Sequence, residues 1–76
     1  MLERKITHKL VVLNLENSRD SMIALQIYDD IKLSHKSILR LEEVKTFKAF
    51  VKVINSFPDI ERIDSRPSRY LLRKQQ

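Results

Sequence analysis

The sequence predicts a small α+β domain in which an N-terminal strand is followed by three helices and a C-terminal β-hairpin. Three observations lead to this fold class. Between residues 18 and 57, apolar side chains recur at intervals of three and four residues, the period of a helix that is buried on one side. A short β-branched segment precedes this region, and two short apolar segments separated by turn-forming residues follow it. With 76 residues, the chain is expected to form a single domain.

The composition excludes several classes of protein. The chain contains neither Cys nor Gly. Without Cys there is no disulfide framework, Cys-based zinc site or iron–sulfur site. Without Gly there is no P-loop or dinucleotide-binding fingerprint, because both need a backbone that approaches phosphates closely. His8 and His35 have no metal-ligating partner at short spacing. We therefore expect no enzymatic activity, no cofactor and no metal.

Nothing in the sequence predicts a membrane partner. No uninterrupted apolar run exceeds four residues, whereas a membrane span needs roughly 18–20. The N-terminus has no apolar stretch followed by a small-residue cleavage site. We expect an intracellular protein, in the cytoplasm or associated with the nucleoid.

The charge is distributed unevenly along the chain. The net charge is +5, with −1 in residues 1–31 and +4 in residues 32–57. An asymmetry of this kind favours a basic surface that contacts a polyanion.

The first predicted element is a strand at 9–15. The segment is short and rich in β-branched residues, and a polar cluster at 16–18 ends it. A helix is the alternative, because four apolar residues also lie at helical spacing: Leu2, Ile6, Leu10 and Leu13.

Two helices are predicted next. The first, at 18–32, begins at a capping residue, Asn17 or Ser18, and its apolar stripe includes Ile27 and Ile31. The second is a short helix at 35–42, for which Ser34 is a suitable N-cap.

The third predicted helix, at 46–56, has the clearest pattern. It ends before Pro58, because the residue preceding a proline avoids helical geometry. Its apolar stripe consists of Phe47, Phe50, Val51, Ile54 and Phe57.

A β-hairpin is predicted at 60–73. Its two apolar segments flank the sequence Asp-Ser-Arg-Pro-Ser at 64–68, which consists of turn-forming residues and arginine. Since the chain has no Gly, the hairpin must turn on these five residues, and we expect a stiff loop that carries arginine.

The segments SHKSILRLEEVKTFKAFVKVINSF, at 34–57, and IERIDSRPSRYLL, at 60–72, resemble the winged helix-turn-helix family. In that family the helix after the turn enters the major groove of DNA, and the hairpin, called the wing, contacts the DNA backbone or the minor groove. The resemblance therefore implies a DNA-binding domain. Two features depart from the family. Its turn and wing often contain Gly, and its first strand normally lies between the first and second helices rather than before them.

The candidate nucleic-acid contacts lie on the third helix, opposite its apolar stripe, and on the hairpin. Lysines neutralise phosphates, asparagine pairs with adenine edges, and arginine binds phosphate with two parallel hydrogen bonds and enters narrow minor grooves. The same residues are also typical of a solvated amphipathic helix and a charged hairpin. They are Lys45, Lys48, Lys52, Asn55, Arg62, Arg66 and Arg69.

We therefore predict a small DNA-binding protein, a transcriptional regulator, whose partner is double-stranded DNA. The alternative is a protein-interaction module of the same fold that binds and modulates a nucleic-acid enzyme. RNA binding ranks last, because the three Phe residues lie in the apolar stripe rather than on a surface where bases stack. A homodimer is also expected, since the domain is small and the apolar strand at 10–15 has no assigned partner.

Overall fold

A computed structural model of the chain describes residues 4–18 and 21–73. Within these residues, three helices and a three-stranded antiparallel sheet form a small α+β domain, which confirms the predicted α+β class but not the predicted N-terminal strand. The strand order in the sheet is β1–β3–β2. In chain order the elements are α1 (Lys5–Asn17), β1 (Met22–Ile23), α2 (Ala24–Leu41), α3 (Phe47–Asn55), β2 (Ile60–Ile63) and β3 (Arg69–Leu72).

The predicted strand at 9–15 is wrong, because this segment belongs to α1. The buried residues of α1 are Thr7, Val11 and Leu15, spaced four apart, which is the period of a helix packed on one side. Valine favours strands, but this preference depends on the packing context, and here the helical packing of α1 outweighs it. The alternative helix had the right type of structure but the wrong face, since Ile6 and Leu13 are 43% and 46% exposed.

The N-terminus of α1 is capped by Glu42, a residue distant in sequence. The Glu42 carboxylate accepts hydrogen bonds from the backbone N–H groups of Ile6, at 3.1 Å, and Thr7, at 2.8 Å. Arg4 Nε donates to the Glu42 carbonyl oxygen at 3.1 Å. The first N–H groups of a helix have no carbonyl partner within it, so the buried carboxylate satisfies them and interacts favourably with the positive end of the helix dipole.

The pKa of the Glu42 carboxyl lies below its ordinary value. Burial acts to raise this pKa, but the Thr7 side chain, the backbone N–H groups of Thr7 and Ile6, and the charge of Arg4 together outweigh burial. Glu42 is therefore ionised at neutral pH, where its capping interaction is fully formed.

A second polar contact holds α1 against the turn between α3 and β2. His8 Nε2 lies 2.8 Å from Asp59 Oδ1, and the His8 and Phe57 rings are 4.5 Å apart. The side of α1 that packs inward is thus tied to both loops that flank α3.

The helix predicted at 18–32 begins later than expected. Met22 and Ile23 form β1, which pairs antiparallel with Tyr70 and Arg69 of β3. Residues 19–20, which the prediction placed in this helix, lie outside the described residues. The prediction failed here because a two-residue strand forms only by pairing with another strand, nearly 50 positions away. No local sequence pattern indicates such a strand.

The helices predicted at 18–32 and 35–42 are joined as α2, but the backbone of His35 is not helical (φ −138°, ψ 41°), so the predicted boundary between two helices lies at this kink. From the sequence, Ser34 was expected to be the N-cap of the second of these helices, but its hydroxyl does not cap. Its hydroxyl donates to the carbonyl oxygen of Asp30, four residues earlier, at 3.0 Å. Serine and threonine hydroxyls that bond in this way often bend helices.

The end of α2 is a Schellman motif with a glutamate in the left-handed position. The Val44 N–H donates to the Leu39 carbonyl at 2.7 Å, and the Glu43 N–H donates to the Arg40 carbonyl at 3.2 Å. Val44 and Leu39 are buried, as is usual for the apolar contact of this motif. Glu43 has φ 59°, a conformation that glycine normally supplies. Its Cβ makes this geometry cost about 1 kcal/mol.

Glu43→Gly is therefore expected to raise the free energy of unfolding by roughly 1 kcal/mol, because glycine adopts positive φ without a steric penalty. Urea denaturation measures the change. Glu43→Ala is the matched control: it removes the same charge but keeps the Cβ, and we expect a change below about 0.5 kcal/mol. An equal gain in both variants would assign the effect to charge and not to the backbone.

The third helix and the hairpin agree with their predictions. Thr46 Oγ1 caps α3 by accepting from the Ala49 N–H at 3.1 Å, and β2 pairs antiparallel with β3 as expected for the hairpin. In the turn at 64–68, the Ser65 hydroxyl donates to the Pro67 carbonyl at 2.7 Å. One residue of the predicted apolar stripe is misplaced, because Phe47 is 40% exposed.

The core lies between the three helices and the face of the sheet that they cover. α1 and α2 supply Val11 and Ile27, α3 supplies Phe50, and the sheet supplies Ile60 and Tyr70. Because α3 is buried on the Phe50 side, its opposite side faces solvent beside the hairpin.

Candidate nucleic-acid interface

Lys48 and Lys52 lie on the exposed side of α3, whereas Lys45 lies in the loop before this helix and not on it as predicted. Lys45, Lys48 and Lys52 are all exposed, and Lys48 and Lys52 lie one helical turn apart. None of the three has an ion-pair partner among the residues that the structure describes. Residues 44–58 contain no Asp or Glu. This side of the molecule is therefore a basic surface with no acidic residue in its own segment.

Arg4, which the sequence analysis did not select, adds to this basic surface. Arg4 and Lys52 line one cavity of about 250 Å³, together with Ala49 and Ser56 of the α3 region. No local sequence pattern indicated Arg4 as part of this surface, because the packing of α1 against the rest of the domain is what brings it close to α3. The hydrogen bond to the Glu42 carbonyl uses its Nε, one of the three nitrogens of its guanidinium group.

Asn55 is held in place by Tyr70. The hydroxyl of Tyr70 donates to Asn55 Oδ1 at 2.9 Å. Burial raises the pKa of Tyr70, while the nearby Arg62 charge and the Asn55 hydrogen bond partly oppose that rise. The hydroxyl therefore stays protonated and donates at neutral pH. With Oδ1 engaged, Asn55 presents the two donors of its Nδ2 group to solvent.

Arg62 lies on the same face of the sheet as Tyr70, since the two residues are directly paired across β2 and β3. This placement brings Arg62 and Asn55 to one groove, although they lie on different elements. Arg62 also forms an ion pair with Asp64 at 2.9 Å, and both side chains are largely exposed. Part of its charge is therefore offset within the hairpin itself.

Arg66 and Arg69, the remaining predicted contacts, differ in their surroundings. Arg66 is exposed in the turn and adjoins Pro67, which borders the groove. Arg69 donates from Nε to the Ser21 hydroxyl at 2.6 Å and from Nη2 to the Ser21 carbonyl. Its guanidinium thus joins β3 to the segment before β1, and less of it is left to bind phosphate.

The groove between α3 and the hairpin, which we name the α3–hairpin groove, has a volume of about 420 Å³. Its walls include Asn55 and Arg62 but also the apolar side chains of Leu25, Phe47 and Val51. Leu25 is 49% exposed and Phe47 is 40% exposed. The surface that carries the predicted site is therefore basic along α3 and apolar within the groove beside it.

Comparison of this chain with protein-family models, with curated proteins and with solved structures gave no match. In the part of the chain that the structure describes, no helix has the length and apolar character needed to cross a membrane. The same residues contain no group of three or more His, Cys, Asp or Glu side chains placed to hold a metal ion.

Proposed function

We propose that this chain is a winged-helix protein that binds double-stranded DNA and acts as a transcriptional regulator, with α3 in the major groove and the hairpin as the wing. The observation that carries the proposal is the exposed side of α3, where Lys48 and Lys52 lie without a described ion-pair partner. Arg4 borders this side, and Arg62 lies across the α3–hairpin groove.

The order of elements supports the proposal. β1 lies between α1 and α2, the position in which winged helices normally have their first strand. In the sequence analysis the first strand preceded the helices, unlike in the family, because a strand was predicted at 9–15. That segment is helical, so this difference from the family is removed. The hairpin follows α3 directly, as a wing does.

The chemistry of the surface also suits DNA. The major groove is about 12 Å wide and accepts one helix. Lysines on the exposed side of α3 would reach the phosphates that border the groove and release their counterions. The Nδ2 donors of Asn55 would face acceptors on base edges, such as guanine O6 and N7 or thymine O4. Arg66 at the tip of the hairpin would contact the flanking backbone.

The test is the affinity for a duplex measured against salt concentration. Lys48→Ala combined with Lys52→Ala is expected to weaken binding and to reduce the slope of log K against log [salt] by about 2, since each phosphate contact contributes about 0.9. The matched control is Lys32→Ala combined with Lys36→Ala, which removes the same charge at the same sequence spacing from α2. These two lysines line a cavity with Lys45 but not with Lys48 or Lys52.

The outcomes separate two claims. If folded wild-type protein does not bind duplex at low salt, DNA binding itself is refuted. If the duplex binds but the α3 and α2 double variants change the slope equally, α3 is not the element that contacts DNA.

The α3–hairpin groove favours a second candidate function, a module that binds a protein partner and modulates a nucleic-acid enzyme. Exposed Leu25 and Phe47 beside Val51 resemble the apolar, aromatic-containing centre of a protein interface, which phosphate binding does not need. The duplex titration discriminates between the two functions, because only DNA binding predicts a steep salt dependence.

A further inference from the structure

A different surface of the molecule carries exposed apolar residues that the proposed function does not use. α1 and α2 enclose an open groove of about 710 Å³, whose apolar lining includes Leu10, Leu13, Met22 and Leu33. Leu33 is 87% exposed and Leu13 is 46% exposed. We name this surface the α1–α2 face. Exposed leucines beside an open apolar groove mark a surface that gains free energy when it is covered.

The apolar surface continues towards the other end of the helix pair. Leu41, at the end of α2, is 70% exposed, and Ile6, near the start of α1, is 43% exposed. These two residues lie near one another, because the carboxylate of the next residue, Glu42, binds the Ile6 N–H. Apolar residues are thus exposed near both ends of α1, and not only in the groove.

The charges on α1 say what kind of partner fits. Lys5, Lys9, Leu13 and Glu16 are exposed at spacings of four, four and three, so they form one stripe along the helix. Lys9 and Glu16 lie at equal distances in sequence from the midpoint between residues 12 and 13. Rotation by 180° about an axis through that midpoint, perpendicular to the helix, places each of these two charges where the other was.

We propose that the α1–α2 face is covered by a second copy of this chain. The two α1 helices lie antiparallel across a two-fold axis near Leu13, and Lys9 of each copy faces Glu16 of the other. Leu13 and Leu33 of each copy are then removed from water in a self-complementary contact. Unlike the dimer expected from the sequence, this one is formed by helices and needs no strand at 10–15.

A second copy suits this face better than a nucleic acid or an unrelated protein. Asp30 lines the groove, and the stripe through Leu13 carries both Lys9 and Glu16, so the face has charges of both signs rather than the predominantly basic surface that binds phosphates. Opposite charges related by a two-fold axis match the same surface on another molecule, which is the defining property of an isologous interface. The α1–α2 groove and the α3–hairpin groove share no lining residue, so the dimer leaves both α3 helices exposed.

The test is the dimer dissociation constant, measured by sedimentation velocity over a range of protein concentrations. K9E alone and E16K alone are each expected to raise this constant by about tenfold or more, because each turns two attractive pairs into two repulsive ones. The double variant K9E/E16K restores both attractive pairs, and we expect its constant to return to within about threefold of the wild type.

A second pair of variants tests the apolar contact. Leu33→Ser is expected to shift the protein to monomer, whereas Leu25→Ser, which changes an exposed leucine of the α3–hairpin groove, leaves the mass unchanged. Circular dichroism and thermal unfolding check that each variant is folded, and Leu33 is exposed enough that its substitution should not disturb the core.

Three results would overturn the proposal. One is a wild-type protein that stays monomeric at hundreds of micromolar. Another is a K9E/E16K variant whose dimer dissociation constant rises by as much as the product of the increases in K9E and E16K. The third is a dimer that Leu25→Ser disrupts and Leu33→Ser does not. None of these measurements involves DNA, so they are independent of the proposed function.

Discussion

Glu42→Ala is expected to lower the free energy of unfolding by about 2–3 kcal/mol, which combines the loss of a helix cap with buried N–H groups left unpaired. The affected groups are the backbone amides of Ile6 and Thr7, both of which donate to the Glu42 carboxylate. For a domain of this size the change corresponds to a fall in Tm of roughly 10–20 °C. Thermal unfolding followed by circular dichroism measures it.

The pH dependence identifies the carboxylate as the cause. Because folding lowers the pKa of Glu42, its contribution is fully present above the pKa of the unfolded carboxyl, about 4.3. The contribution is lost as the pH falls through the lower pKa of the folded state. The stability difference between wild type and Glu42→Gln is therefore expected to be largest near neutral pH and to shrink below about pH 4.

Glu43→Gln is the control for this experiment, because Glu43 is the exposed neighbour of Glu42. Its effect is expected to be small and nearly constant across the same pH range. If the two glutamine variants show the same pH profile, Glu42 does not cap α1 as an ionised group.

Phe50→Ala is expected to lower the free energy of unfolding by about 3–5 kcal/mol, the usual cost of removing a buried phenylalanine. Phe50 is completely buried, and its ring centroid lies 5.2 Å from that of Tyr28. A chain of this length has a total stability of only about 4–11 kcal/mol, so the variant loses between roughly a quarter and all of that stability.

Phe47→Ala is the matched control, because it makes the same chemical change one turn earlier on α3. Phe47 is 40% exposed, and we expect a loss of about 1 kcal/mol. If Phe50→Ala is too unfolded for its free energy of unfolding to be measured, Phe50→Leu replaces it. Urea denaturation compares these variants with Phe47→Ala. Equal costs at the two positions would mean that α3 buries a different side, and the lysine surface would then be misplaced.

The parts of the fold that were predictable are those with local causes. α3 has its own cap, Thr46, and its own apolar stripe around Phe50, and the hairpin has a turn sequence at 64–68. The same causes made Lys48 and Lys52 predictable as exposed residues, because they lie opposite Phe50 on the helix. Near His35 the sequence predicted the position of the interruption but not the role of Ser34, since a serine that caps a helix and one that bends it look alike in sequence.

The parts that were missed depend on contacts between distant residues. α1 buries a threonine, Thr7, and is capped by Glu42 from 35 positions away, so its apolar pattern indicated a helix only as the alternative and on the wrong face, and its flanking residues did not indicate one. Three features of the candidate site arise from such contacts. Arg4 lies beside α3, the Tyr70 hydroxyl orients Asn55, and the Arg69 guanidinium is hydrogen-bonded to Ser21. Residue type and spacing do not report them.

The strand order of the sheet has a consequence for aggregation. β3 is central, so the two edges of the sheet are β1, which has only two residues, and β2, which carries Glu61 and Arg62. A short edge and a charged edge both disfavour the addition of a strand from another molecule, which is the route to open-ended, amyloid-like growth. Association between copies is thereby directed away from the sheet and towards closed, finite assemblies.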